Sequence, residues 1–125
     1  MKLIALLSIL LLNVQFVLAA DKNHTQTESV LGEWHFFLPS PDGVKKVTAI
    51  FQKESNHYLG HFQNEEGRQE LNAVNVEGAH FSFEHEVSKF FMTITLTFNG
   101  EVKGDAVEGA IDTPKGEKSF YGIRK

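Results

Sequence analysis

Trp34-His35-Phe36-Phe37-Leu38 is followed by Gly43, five residues beyond Leu38, and by Val47, four residues later. Tyr58-Leu59-Gly60-His61-Phe62 repeats that spacing with Gly67 and Leu71, and Val107-Glu108-Gly109-Ala110-Ile111 repeats it with Gly116 and Phe120. A fourth stretch, Phe81-Ser82-Phe83-Glu84-His85, keeps the step of nine from His85 to Ile94 but carries Phe90 where the others carry the turn glycine. Self-similarity at a fixed spacing marks a repeated supersecondary unit. Apolar and polar residues alternate on both sides of each turn, which is the pattern of a β-hairpin. Four hairpins predict eight strands, near 33–38, 45–52, 57–63, 68–75, 80–87, 91–99, 105–112 and 117–124.

Alternation sends Trp34, Phe36, Phe51, Phe62, Phe83, Met92, Phe98 and Phe120 to one face, and His35, Thr48, Gln69, Glu84 and Thr95 to the other. Pro41-Asp42-Gly43, Glu65-Glu66-Gly67 and Pro114-Lys115-Gly116 supply tight turns. The connections are short, so neighbouring strands run antiparallel. Strands with one apolar face bury it by pairing two sheets or by closing one sheet on itself, and closure alone removes the exposed edges. Gly60, Gly109 and Gly122 on the inner face let strands coil and favour closure. The prediction is an all-β, eight-stranded antiparallel up-and-down β-barrel over 32–125. Along 71–76 the apolar set drifts from Leu71 to Val74 and Val76, which predicts a bulge. Aromatic bulk predicts a nearly filled interior, with any small apolar space opened by Gly60, Ala49, Ala73, Gly109 and Gly122.

Ahead of the barrel, Lys2 precedes an apolar run from Leu3 to Leu12 in which only Ser8 is polar, and Val17-Leu18-Ala19 offers a small-residue cleavage site. This is the layout of a secretory signal peptide over 1–19. Asn13 and Gln15 end the run short of the roughly 20 residues a spanning helix needs, so no membrane span is expected in the mature chain. Residues 20–31 read as a polar, flexible N-terminal arm, and the protein as secreted or periplasmic. The chain has no Cys, so its core must hold it without disulfides. It carries 12 basic and 16 acidic residues, a net charge of −4, and no basic run. Nucleic acid is therefore excluded as an expected partner, and anionic membrane surfaces are disfavoured.

The sequence offers little chemistry. His57 and His61 share a strand face but lie about 13 Å apart at about 3.3 Å per residue, too far to share one ion, so no metal site is expected. The serines stand in turns or on the outer face, with no nucleophile elbow, phosphate-cradling loop or cofactor fingerprint. No enzyme activity, catalytic residue or cofactor is expected. His85 is the sharpest anomaly, because it holds the register of Leu38, Phe62 and Ile111. The candidate ligand-binding residues are Tyr58, His85, Phe90 and Phe83, with His85 and the Phe90-Phe91 tip at the barrel mouth. Phe37 and Phe91 both read as outward-facing and, if adjacent, would form an apolar contact spot.

Gly32-Glu33-Trp34 opens the first strand, and Arg124 stands near the end of the last. This resembles the calycin superfamily, the lipocalin-like barrels, in which a Gly-x-Trp on the first strand meets a basic residue on the last and closes one end. The x-Gly-x strands and the terminal Phe120-Tyr121-Gly122-Ile123-Arg124 further resemble small lipocalin-like domains of bacterial exported proteins. The chain is shorter than true lipocalins and lacks their C-terminal helix. The resemblance implies a barrel that binds a small apolar molecule, with Gly32, Trp34 and Arg124 as structural closing residues. The alternative is a protein-interaction module. One form resembles small periplasmic protease inhibitors that act through an N-terminal arm, although those carry a disulfide that this chain lacks.

Overall fold

The computed structural model describes residues 29–125, so the expected signal peptide and most of the expected arm lie outside the described residues. Among these residues the chain forms nine antiparallel strands: β1 Gly32–Ser40, β2 Gly43–Glu54, β3 His57–Asn64, β4 Gly67–Glu70, β5 Asn72–Glu77, β6 His80–Lys89, β7 Met92–Lys103, β8 Ala106–Thr113 and β9 Gly116–Arg124. They hydrogen-bond in the order β4-β3-β2-β1-β9-β8-β7-β6-β5, a nearly closed barrel. The first and last strands meet in the middle of this order, with Trp34 paired to Arg124 and Phe36 to Gly122.

The expected eight strands become nine because the fourth breaks at Leu71. β4 pairs with β3, and the Leu71 amide donates the last bond of that ladder to the Gly60 carbonyl at 2.9 Å. Beyond it Ala73 turns to φ 50°, the register shifts between Asn72 and Asn75, and β5 pairs with β6 instead. The apolar drift from Leu71 to Val74 and Val76 is the cause. Holding one register would expose those valines, and an inserted residue moves their parity inward. The barrel therefore closes through a strand shared unevenly between its neighbours, and a seam remains between β4 and the upper half of β6.

The core is built from phenylalanines laid over glycines. Phe51 faces Gly60 across β2–β3, Phe81 faces Gly100 across β6–β7, Phe120 faces Gly109 across β8–β9, and Phe36 faces Gly122 across β1–β9. A Cβ at these glycines would lie 2.4–2.8 Å from the nearest ring carbon of its partner, closer than real atoms approach. Each ring thus crosses the neighbouring strand where a side chain would stand, a cross-strand pairing that compensates glycine's lack of packing surface. Phe36 touches the rings of Phe51, Phe62, Phe81 and Phe120, and Phe83 stacks on Phe98 at 4.6 Å. Burial of each such ring contributes roughly 1.5–3 kcal/mol. The inner glycines were expected to open space, but their partner rings fill it.

Trp34 and Arg124 stand at the N-terminal end of the barrel. The guanidinium carbon of Arg124 sits 4.2 Å from the Trp34 ring. Arg124 also donates to the carbonyls of Ser29 and Gly104 at 3.2 Å and of Leu31 at 3.4 Å, and faces Asp105 Oδ1 at 3.2 Å. The Trp34 indole N–H donates to the Val30 carbonyl at 2.7 Å, and Val30 is fully buried. Ser29 to Leu31, expected as the end of a flexible arm, instead cap this end, because Val30 is apolar and carbonyls there meet donors that need acceptors.

Candidate ligand mouth

The other end of the barrel is open. Antiparallel order places the β1–β2, β3–β4, β6–β7 and β8–β9 hairpin tips around it. Leu38, Phe62, His85 and Ile111, the four register-equivalent residues of the sequence repeat, form one inward layer here. They line a cavity of about 580 Å³ together with Leu96 and Phe98. That volume lies in the range typical of small-molecule sites. The floor is aromatic, since Phe62 and Phe98 stand edge-on to the His85 ring at 5.1 and 6.5 Å.

Polar chemistry in the layer centres on the seam. With the proton on its Nε2, His85 donates to Gln69 Oε1 at 2.9 Å. Gln69 is paired with Phe62 and so shares its inward side, a correction to the outward placement expected from the sequence. This side-chain bond links β4 to β6 where backbone pairing lapses. Burial lowers the His85 pKa below its ordinary value, and the nearby Lys45 ammonium pushes it the same way. The ring is thus held neutral, suited to hydrogen-bond an uncharged or acidic head group while Lys45 supplies positive charge at the rim.

The β6–β7 hairpin differs from the other three. Beyond Leu38↔Lys45, Phe62↔Gln69 and Ile111↔Lys118, each of those hairpins adds two rungs before its turn. Beyond His85↔Leu96 come four rungs, ending at Lys89↔Met92. The hairpin therefore overhangs the others by roughly 7 Å at about 3.3 Å per residue. The step of nine to Ile94 is coincidental, because Ile94 pairs with Val87 in the overhang and Phe98 takes the place that Val47, Leu71 and Phe120 hold elsewhere. Met92, expected inside, is 63% exposed near the tip.

The four candidate binding residues do not assemble as a group. His85 lines the cavity. Phe83 is fully buried one layer below, stacked on Phe98. Phe90 stands on the exposed turn above the rim. Tyr58 lies at the opposite end, paired with Lys53, whose ammonium is 5.7 Å from its ring. Phe37 stacks on Tyr121 at 4.8 Å on the outer face of β1–β9, away from Phe91, so the expected joint spot does not form. The candidate set omits two lining residues, Gln69 and Leu96, of which Leu96 was expected on the inner face. Both were legible by parity, Leu96 with Phe98 and Gln69 with Leu71, each two residues away on the same strand.

A second hollow, of about 440 Å³, lies on the outer side of β5–β8 and is lined by Asn75, Glu77, His80, Glu101 and Glu108 among others. It is shallower and more open, and its charged groups are in water, where they hold ligands weakly. The mouth is the better candidate because it offers apolar burial beside a converging polar pair. Among the described residues no group of three or more potential ligands is placed to hold a metal ion. Comparison with protein-family models, curated proteins and solved structures gave no match.

Proposed function

We propose that this chain is an exported, lipocalin-like barrel that binds a small apolar molecule in its mouth without catalysing a reaction. The observation that carries the reading is the 580 Å³ cavity floored by Phe62, Phe98 and Ile111, with His85–Gln69 as its converging polar pair. The chemistry fits a molecule with an apolar body and a single hydrogen-bonding head. The signal-like start of the sequence supports a secreted or periplasmic location, and Arg124 over Trp34 supports the lipocalin-like closure.

Native mass spectrometry of the processed protein, with titration by an environment-sensitive apolar dye, tests this. Binding of one dye per chain, abolished by Ile111→Trp with an unchanged far-UV spectrum, is the expected result. A clean apo mass and no dye uptake at any concentration would reject it. A protein-interaction role is favoured by one separate observation. The stacked Phe37–Tyr121 pair continues into Ile123 on the outer face, where Tyr121 and Ile123 are each 50% exposed. Loss of a binding partner on Tyr121→Ser would support that alternative.

A further inference from the structure

The overhanging β6–β7 hairpin ends in a turn that does not serve the fold. Phe90 and Phe91 are the two turn residues, at φ 52° and 70°. Positive φ at both central positions is the geometry of a type I′ turn, normally filled by Asn-Gly. A bulky side chain is strained there. The other three turns at this end place glycine at their positive-φ position: Gly43, Gly67 and Gly116. Phe90 is 83% exposed, Phe91 is fully exposed, and Met92 follows at 63%. The hairpin thus carries backbone strain and also presents apolar side chains to water, and neither stabilises the barrel. Ser55 and Ala73 also have positive φ, but each is small and stands alone; two consecutive bulky residues held there point to a function.

We propose that the Phe90-Phe91-Met92 tip inserts into the interfacial layer of a zwitterionic lipid bilayer and seats the barrel mouth against it. This goes beyond ligand binding and stands on different residues. The tip is too small for a specific protein interface, which takes about 800 Å² from each partner and a polar rim. Here three side chains crown a convex two-stranded ribbon. An interfacial layer accepts such a point, because apolar groups bury roughly 5–10 Å into the headgroup and acyl boundary. With barrel strands tilted by about 35–45°, the roughly 7 Å of extra strand raises the tip by about 5 Å, and the phenylalanine rings reach farther into that depth.

Charge agrees with a zwitterionic surface. The four residues at the tip, Lys89 to Met92, carry one charge, on Lys89, whose ammonium lies 5.8 Å from the Phe90 ring. A lysine beside an inserted aromatic can lay its stem along the apolar layer and leave its ammonium at the phosphates. Around the mouth Lys45, Lys46 and Lys115 are offset by Asp42, Glu65 and Glu66, and the net charge is −4, so insertion rather than charge drives docking. Across the mouth the β1–β2 hairpin adds Pro39, Pro41 and the exposed Val44. Seated in this way, the cavity faces the bilayer, and an apolar molecule can pass between them without entering water.

The test uses Phe91→Trp in the full chain as recovered from an exporting host. Trp34 is buried at the far end of the barrel, so emission changes report the tip. Phosphatidylcholine vesicles are expected to shift the tip emission to the blue, and vesicles with brominated acyl chains to quench it. Phe90→Asn with Phe91→Gly is expected to lower vesicle partitioning at least tenfold in flotation while raising the melting temperature, since the turn then has its preferred residues. Tip emission unmoved by vesicles would overturn the proposal, as would an Asn-Gly variant that floats like the parent. A blue shift that appears with protein concentration in the absence of lipid would assign the tip to a second copy and also overturn it. Dye uptake separates the two readings: docking without dye binding rejects the mouth ligand alone, and dye binding without docking rejects the tip alone.

Discussion

Replacing Gly122 by alanine probes the feature that holds this barrel together. An alanine Cβ there would sit 2.6 Å from Phe36 Cδ1, 2.9 Å from Phe36 Cε1 and 3.2 Å from the His35 carbonyl. The ring cannot swing away, since Phe36 is 0% exposed and is enclosed by Phe51, Phe62, Phe81 and Phe120. Forcing one methyl into such a core costs typically 1–3 kcal/mol, and the enclosure puts this site near 3. The loss of glycine entropy in the unfolded chain returns about 0.4–1 kcal/mol. The net loss is about 2 kcal/mol, a fall in Tm of roughly 8–16 °C for a domain of this size. Urea denaturation followed by the single Trp34 measures it, with the midpoint falling and m unchanged. Phe36→Leu in the same chain should recover part of the loss, with a coupling of about 1–2 kcal/mol. At Gly109 the nearest atom is the Asn99 carbonyl at 2.3 Å, so Phe120→Leu should not rescue Gly109→Ala. A stability within 0.5 kcal/mol of the parent for Gly122→Ala, or zero coupling to Phe36, would refute the Phe–Gly account.

Arg124→Leu should cost about 2–3 kcal/mol in urea, because it removes the stack on Trp34 and strands the carbonyls of Ser29, Leu31 and Gly104; Arg124→Lys should not restore it, lacking the planar fork. His85 has a lowered folded pKa, so the unfolded chain binds its proton more tightly. The stability tied to neutral His85 is present above the unfolded value near 6.5 and is lost as pH falls through the lower folded value. Thermal melts should show this slope in the parent and its loss in His85→Phe; an identical slope in both would show that His85 is not its source. The Phe90→Asn, Phe91→Gly variant should unfold at higher urea by at least about 1 kcal/mol, since it replaces two strained residues with preferred ones; no gain would remove the strain argument. Ile111→Trp should fill the mouth and abolish dye uptake at a stability cost of about 1–3 kcal/mol, since Ile111 is 3% exposed, as read by fluorescence titration and urea midpoint.

Period-two alternation made the strand pattern legible from residue to residue. Side chains of a strand point alternately to two faces, so Trp34, Phe36 and Phe51 announce an inner face without any long-range information. The shared spacing of Leu38, Phe62 and Ile111 likewise placed three residues in one layer, because a hairpin's register is set by its own turn, whereas His85 joins them although its hairpin turns two rungs later. The drift after Leu71 signalled a bulge. Which neighbour each half of that strand would choose was not legible, since pairing partners are decided by the closed sheet.

By itself, then, the sequence determined the all-β class, the hairpins, the inner face and the polarity of His85, all of which depend on neighbours within about ten residues. The tertiary structure alone decided the seam at Leu71, the Gln69–His85 contact across it, and the mouth cavity itself. Those features depend on closure, which brings together β4 and β6, or β1 and β9, from distant parts of the chain. A local pattern carries a side chain's direction but not its height along the barrel or what stands opposite, and a binding site is made of both.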